Sequence, residues 1–497
     1  MSGQSDPQNR LDDWLGPGTI ETLVPDCYAA YRLLIADALQ YFLSRFSRKR
    51  WGEIVGEQTE ETSGLSAAVR FVQLLHACPT LHKLGQVVAR HRALDADFRT
   101  HLQRLESFEP KTPLSAVQPI INDEMAEAIE CYDIQFEPRA LAEASVAVVM
   151  ACTWSPGGGH PRRRAALKVL KPGVAARLEE ELAIIADLAD YLDDRRAACD
   201  LPDFAYRDTF DTVRDVLASE VRFEIEQNNL RLAATRYAHR EDVIIPEVLP
   251  FSMPGVTAME YIDGVKATQV GSLTAGQRRS LARTIIDALV GDAVFSSEPE
   301  TIFHADPHAG NLLAVSGGGL GILDWSLTGR LTKVQQEIIA RIIFAAMRLD
   351  AAEVCRAATS LAASPVDDSM VRGTVDGAID EIVRGKVPGP SWLARLLDAL
   401  AIAGTRFPMD LMLFRKTILI VEGVVADVDP HLSLDAALIT RAVWEFGAEW
   451  PMRMLASPTS RSSTTHISNI DFARLGAAWP ASAMNYWLRS WSAWMSR

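Results

Sequence analysis

The sequence predicts an α+β, bilobal fold: a small strand-containing N-lobe, a mainly helical C-lobe and a helical N-terminal extension ahead of both. Three observations predict it. The apolar runs ASVAVVMACTW and RAALKVL, joined by the Gly-rich SPGGGHP, have the character of a hairpin between residues 144 and 170. EDVIIPEVLP and GVTAMEYIDG read as further strands, ending at Gly264. Beyond about residue 270 the pattern is helical except for the stretch FHADPHAGNLLAVSGGGLGILDWSLTG. The chain has 497 residues, 48% hydrophobic and 23% charged, which is ample for a core in more than one domain.

Residues 1–60 are read as an N-terminal helical segment, because AAYRLLIADALQYFLSRFSRKRW sets Leu34, Ala38, Phe42 and Phe46 at helical spacing. The expected place of this helix is against the main body. The polar GEQTEETSG separates it from a second helical region, 61–112, which contains LHKLGQVVARH and is broken by EPKTP. The N-lobe is assigned to 113–262. It includes the helix PGVAARLEEELAIIADLADYL, with Pro172 suited to a first turn, and one long helix over 207–238. The C-lobe is assigned to 263–450 and a Trp-rich tail to 451–497.

Charge and cysteine content exclude several classes. A net charge of −14 and an isoelectric point near 5.3 argue against nucleic acid as a partner, since phosphate backbones require a basic stripe. The basic clusters SRFSRKR and PRRR are read as solvated faces or loops. Six cysteines without a CxxC pair fit reduced thiols in a cytosolic protein. The start MSGQSDPQNRLDDW has no secretory pattern, and no apolar run is long enough to predict a spanning helix.

The chemistry is concentrated in FHADPHAGN and LDWS. The runs NLLAV and LGILD, separated by SGGG, predict a hairpin that brings Asn311 and Asp324 to neighbouring strand ends, with Asp306 on the loop before it. Phosphoryl transfer needs such a set: a carboxylate to orient or deprotonate the acceptor, and an amide oxygen plus a second carboxylate to hold Mg²⁺. His-x-Asp-x4-Asn followed by Asp after a hairpin is the protein-kinase-like order. Lys168 is the one charge inside its apolar β run and requires an acid or a route to water, which the nearby Lys171 can find by snorkelling. Glu220, Glu224 and Glu226 on the 207–238 helix are the candidate acids; on one helix Glu220 and Glu226 would lie about 120° apart. Backbone groups after Met259, at Glu260 and Ile262, are the candidate adenine contacts of an interlobe hinge.

LHKLGQ, the AEAS loop, SEVRFEIEQNN, FHADPHAGN and LDWS together resemble the UbiB-like (AarF-type) atypical kinases, over about residues 65–450. The resemblance implies that Lys83 and Gln86 belong to a KxGQ helix laid across the active site. It places Ala142, Ala144 and Ser145 over the phosphates. It pairs Lys168 with Glu226 and lets that lysine reach the α/β-phosphates, makes Asp306 the catalytic aspartate, and gives Mg²⁺ to Asn311 and Asp324. Glu220 matches the Glu of the family's ExD motif, near the KxGQ lysine. The implied cofactors are ATP and Mg²⁺. The implied activity is weak or conditional ATPase action or phosphotransfer, linked to isoprenoid quinone or other lipid metabolism at the inner face of a membrane.

Several positions depart from the family pattern. Arg222 stands where ExD has Asp, Glu143 and Val148 replace Ala and Gln, and Trp325-Ser326 replaces Phe-Gly. Glu143 is expected to point away from phosphate, or its loop to lie farther from the nucleotide, because like charges repel. Ser326 is expected to restrict switching of the Asp324 segment. After Pro480, Met484, Trp487, Trp491 and Trp494 recur at helical spacing, which suits either membrane-surface contact through 484–495 or a helix folded on the C-lobe. Two functions stay open: an active Mg·ATP-dependent enzyme with an unknown small-molecule or lipid substrate, or a nucleotide-binding pseudokinase or chaperone serving a partner enzyme. A phosphotransferase of the aminoglycoside type leaves LHKLGQ unexplained.

Overall fold

The computed structural model describes residues 24, 26, 29, 32–59, 67–88, 96–103, 110, 112–157, 160–195 and 206–477. The chain forms two compact units. One comprises residues 1–228 and 247–261, the other 229–246 and 262–497.

In the first unit, helices α1 (Arg32–Ser44), α2 (Arg48–Thr59), α3 (Ala67–Ala77), α4 (Pro79–Val88) and α5 (Ala96–Gln103) precede α6 (Leu114–Cys131). The single helix expected through Trp51 is two helices. Ser47 interrupts it: the Arg50 N–H donates to Ser47 Oγ at 3.2 Å as an N-cap bond, while the Ser47 N–H donates to Glu180. Phe42, Phe46, Ile54, Leu74 and Leu75 form one apolar cluster with Ile184 and Ile185 of α7 (Val174–Arg195).

The basic cluster before Trp51 is not wholly a solvated face. Arg50 is 3% exposed; it donates to the Ala77 carbonyl and lies 3.3 Å from the Glu181 carboxylate, which also accepts from Thr80 N at 2.9 Å and Thr80 Oγ1 at 2.7 Å. A carboxylate at the start of α4 answers that helix's first amides and its dipole. This network ties α4 to α7. Burial is the chief cause raising the Glu181 carboxyl above its usual range, against the opposing pull of Thr80 and Arg50.

An antiparallel sheet follows in the order β1 (Gln135–Glu143), β2 (Ala147–Trp154), β3 (Arg163–Leu170), β5 (Val256–Glu260). The β2–β3 hairpin has the predicted strands, with Val149 opposite Lys168. Strand β1 begins earlier than its sequence suggests. It is an edge strand with Pro138 inside it and a register irregularity after Phe136, so it lacks an alternating apolar pattern. Val117, Ile121 and Met125 of α6 are buried against this sheet.

The long helix expected over 207–238 is also two: α8 (Tyr206–Ser219) and α9 (Phe223–Tyr237). Between them Glu220 N bonds Leu217 O and Arg222 N bonds Ser219 O as turns, and Val221 packs on two apolar clusters. Tertiary packing overrides the continuous periodicity, and the 120° relation of Glu220 to Glu226 is lost.

The second unit has a four-stranded sheet in the order β4 (Val243–Ile244), β9 (Gly319–Ile322), β8 (Leu312–Val315), β6 (Gly264–Lys266), and a pair formed by β7 (Glu300–His304) and β10 (Thr328–Thr332). The predicted β8–β9 hairpin pairs Leu312 with Ile322. Its turn uses Gly317 and Gly318 at φ of 95° and 96°, a conformation that glycine tolerates. Helices α10 (Ala275–Ile286), α11 (Lys333–Met347), α12 (Ala351–Leu361), α13 (Asp368–Val383), α14 (Pro390–Ile402), α15 (Met409–Val428) and α16 (Leu434–Arg453) make up most of the rest. Thr274 and Thr332 begin α10 and α11 with complete capping boxes to Gln277 and Gln335.

Among the described residues Cys78, Cys131, Cys152 and Cys355 are free thiols, and no helix is long and apolar enough to cross a membrane. The expected tail helix over 484–495 lies outside the described residues.

Candidate active site

Within the first unit, Lys168 and Glu226 form a buried ion pair. The two residues are 6% and 2% exposed, with Nζ 2.8 Å from Oε1. Strand β3 aims the lysine inward, α9 supplies Glu226 from its first turn, and the Phe223 ring lies 5.4 Å from the ammonium. Such a pair survives burial because each charge offsets the desolvation of the other.

Lys83 of α4 meets Glu220 at 2.9 Å, and Ser145 Oγ donates to the other Glu220 oxygen at 3.5 Å. The KxGQ-type lysine, the Glu at 220 and the serine of the AEAS loop are therefore joined in one chain of contacts. Gln86 lies in α4, but its side chain is outside the described residues. Ala144 N closes the β1–β2 turn on Ala147 O, with Ala142 paired to Val149 in the strand before it.

Glu143 is held by three donors: Thr112 N at 3.0 Å, Thr112 Oγ1 at 2.9 Å and Lys171 Nζ at 2.8 Å. Lys171 does not snorkel free; Glu143 draws it in. The charge at 143 is thus an anchor for its own loop. Glu143→Ala is expected to destabilise the chain by about 2 kcal/mol through the loss of charge-assisted bonds, measured by paired chemical denaturation; a change below about 0.5 kcal/mol contradicts the anchoring role.

Of the two hinge positions, Glu260 has its N–H bonded to Glu247 O at 2.9 Å, which removes that donor from adenine recognition. Ile262 follows the end of β5, and its Cγ2 lies in the space that a side chain at position 321 would need.

In the second unit β7 delivers His304 to the start of the loop. Its Nε2–H donates to Leu323 O at 2.9 Å and its Nδ1 accepts from Asp306 N at 3.1 Å, which fixes a neutral tautomer. Burial, foremost, depresses the His304 pKa. Asn311 Nδ2 donates to Asp306 O at 3.1 Å, which fixes the amide so that Oδ1 is its acceptor end, and Leu323 N donates to Asn311 O at 2.8 Å. Asn311 and Asp324 therefore sit at adjacent ends of the hairpin. An amide oxygen and a carboxylate are hard donors of the kind Mg²⁺ takes together with phosphate and water.

The Asp306 carboxylate lies 2.9 Å from Lys416 Nζ of α15. Sequence reading did not find Lys416. A signal existed: Arg415 and Lys416 are the only charges in the apolar stretch LMLFRKTILIV.

Because His304 is buried with a depressed pKa, the unfolded chain binds a proton near pH 6.5 that the folded chain refuses. Its contribution is complete above the unfolded pKa and is lost as pH falls through it, at about 1.4 kcal/mol per pH unit. His466, also buried with a depressed pKa, adds to this acid limb. Unfolding free energies measured from pH 7 to 5 are expected to fall more steeply for wild type than for His304→Asn; equal slopes would refute this assignment.

A model of the ABC1 atypical kinase-like domain matches residues 104–358, just over half of the chain. The chain belongs to the ABC1 atypical kinase-like family. It is 24% identical over 439 residues to a protein named Probable protein kinase UbiB from Xanthomonas euvesicatoria pv. vesicatoria (strain 85-10), covering 83% of this chain and 76% of that one. The solved Rv3197–erythromycin complex from Mycobacterium tuberculosis aligns with a TM-score of 0.50 at 20% identity, over 78% of this chain and 96% of that one, which shows a shared fold.

The departures from the UbiB-like motifs acquire local explanations. Arg222 is exposed in the turn between α8 and α9, and Lys83 keeps an acid in Glu220. Trp325 is fully buried, with its ring 4.9 Å from that of His304 and its carbonyl accepting from Asn229 at 3.0 Å. The left-handed backbone, φ 53°, belongs to Asp324, a residue type that tolerates it, and not to Ser326. In this conformation position 326 does not require glycine.

Proposed function

We propose that this ABC1-family chain binds Mg·ATP and either hydrolyses it or transfers phosphate to a small-molecule or lipid acceptor. The observation that carries the reading is the buried Lys168–Glu226 pair at 2.8 Å, in a chain that also has Asp306, Asn311 and Asp324. A surface lysine needs no such partner. A lysine fixed inside a sheet by a helix glutamate is positioned for anionic oxygens, as phosphoryl transfer requires.

Each residue then has a role. Lys168 orients the α/β-phosphates, and Asn311 Oδ1 and the Asp324 carboxylate hold Mg²⁺. That ion, when bound, neutralises charge developing on the phosphates. Asp306 orients the acceptor hydroxyl or water and takes its proton. Ala142, Ala144 and Ser145 cover the phosphates, and Ile262 is the remaining backbone candidate for adenine.

A second reading is favoured by the Lys83–Glu220–Ser145 contacts, which tie α4 to the phosphate-covering loop. In it the chain is a nucleotide-driven pseudokinase or chaperone that presents a lipid or substrate to a partner enzyme. A role in isoprenoid quinone or other lipid metabolism, with peripheral membrane contact, accords with the UbiB-like relative.

Binding and turnover of Mg·ATP, with and without lipid vesicles, test both readings in wild type, Lys168→Ala and Asp324→Asn. Turnover lost in both variants supports the enzyme. Binding without turnover under every condition supports the second reading, and absence of nucleotide-dependent stabilisation in wild type rejects both.

A further inference from the structure

We propose that the second unit holds a separate ligand site, built from two adjoining cavities, for a single-chain amphiphile with an anionic head. It shares no residue with the phosphate chemistry above and does not rest on it.

One cavity is polar, about 520 Å³, and the other apolar, about 250 Å³; Ala340, Phe344 and Ile467 line both. Together they have the size of small-molecule pockets, about 300–1,000 Å³. The polar cavity concentrates five arginines in a chain whose net charge is −14. Three carboxylates answer them incompletely. Glu353 serves both Arg341, at 2.7 Å, and Arg356, at 2.6 Å, while Asp350 lies 3.6 Å from Arg348 and Asp471 lies 2.8 Å from Arg461. Arg474 lines the same space and pairs with no carboxylate among the described residues. The excess is positive, so the complementary group is an anion, and guanidinium forks match carboxylate and phosphate geometry.

His466 is wholly buried in the wall of this cavity, its Nε2–H donating to Val294 O at 3.1 Å; it shapes the wall and leaves the recognition of the head group to the arginines.

The apolar cavity lies between α11, α16 and the helical segment 469–477, lined by side chains such as Leu438, Ala442 and Phe446, with Thr465 its one hydroxyl. Its rim includes Val443 and Phe472, 67% and 43% exposed, so the space is reachable from solvent. An apolar recess next to an arginine-rich one fits one molecule with a tail and a charged end better than two unrelated ligands.

Titration of the full chain with hexyl, octyl and decyl phosphate, below their micelle concentrations, tests the site. Affinity is expected to rise about three- to fourfold per added CH₂, and decyl maltoside, with a neutral head, and inorganic phosphate alone are each expected to bind at least tenfold more weakly than decyl phosphate. Decanoate compared with decyl phosphate distinguishes a carboxylate from a phosphate head, and phosphatidic acid vesicles distinguish a membrane source from a soluble one. Ala442→Trp is expected to abolish the chain-length dependence, and the exposed Arg474→Glu, which leaves the core untouched, to weaken decyl phosphate at least fivefold. Equal binding of charged and neutral heads, no dependence on tail length, an unaffected Arg474→Glu, or no binding to the full chain each overturns the proposal.

Discussion

Glu226→Ala is expected to lower stability by about 3 kcal/mol and to remove nucleotide-dependent stabilisation. Lys168 sits at 6% exposure with the Glu226 carboxylate 2.8 Å away. Taking away one partner of a buried pair leaves the other's desolvation opposed by less attraction, which typically costs about 3–5 kcal/mol. The double variant Lys168→Met, Glu226→Leu is expected to be closer to wild type than Glu226→Ala, because two apolar groups of similar volume present no buried charge. The two variants separate stability from function: both should lose nucleotide, and only the single should lose about 3 kcal/mol of stability. Paired calorimetric and denaturant unfolding measures this. A single variant within about 0.5 kcal/mol of wild type would show that the pair is not the buried device described here.

Lys168 was legible in the sequence because one charge inside RAALKVL violates the apolar pattern and must be answered. The β8–β9 hairpin was legible for a similar reason: SGGG between NLLAV and LGILD leaves little alternative to a turn. What failed was continuity. The sequence stretches around Ser47 and around Glu220–Arg222 keep helical periodicity, yet the chain breaks at both. At Ser47 the break follows a side-chain cap that is locally readable. At Glu220 it follows the packing of the partly buried Val221 and the contact with Lys83, both set by residues distant in sequence.

Long-range pairing is also why Arg50 was misjudged. SRFSRKR looks like a basic surface, and only the fold shows that Glu181 is brought to one of its arginines. Likewise Glu143 looked like an obstacle to phosphate until Thr112 and Lys171 were seen to hold it. Composition identifies charges that demand an explanation. It does not identify their partners.

That limit bears most directly on Asp306, whose partner Lys416 lies over a hundred residues away on α15. Asp306→Asn is expected to lower turnover about 10²- to 10⁴-fold, the range for removing a positioned general base, while nucleotide affinity changes by less than about twofold. Lys416→Met is expected to lower turnover by about tenfold or more. The 2.9 Å contact fixes the direction of the carboxylate; under the proposed role of Asp306 the lysine is then a positioning residue. Lys416→Arg should restore part of the loss, because a cation returns to the same side of Asp306. A purely structural role for Lys416 would instead show as lowered stability in the Met variant, with turnover per folded molecule unchanged. Steady-state kinetics and binding on the same preparations distinguish these outcomes, and an Asp306→Asn variant that turns over nucleotide at the wild-type rate removes Asp306 from the chemistry altogether.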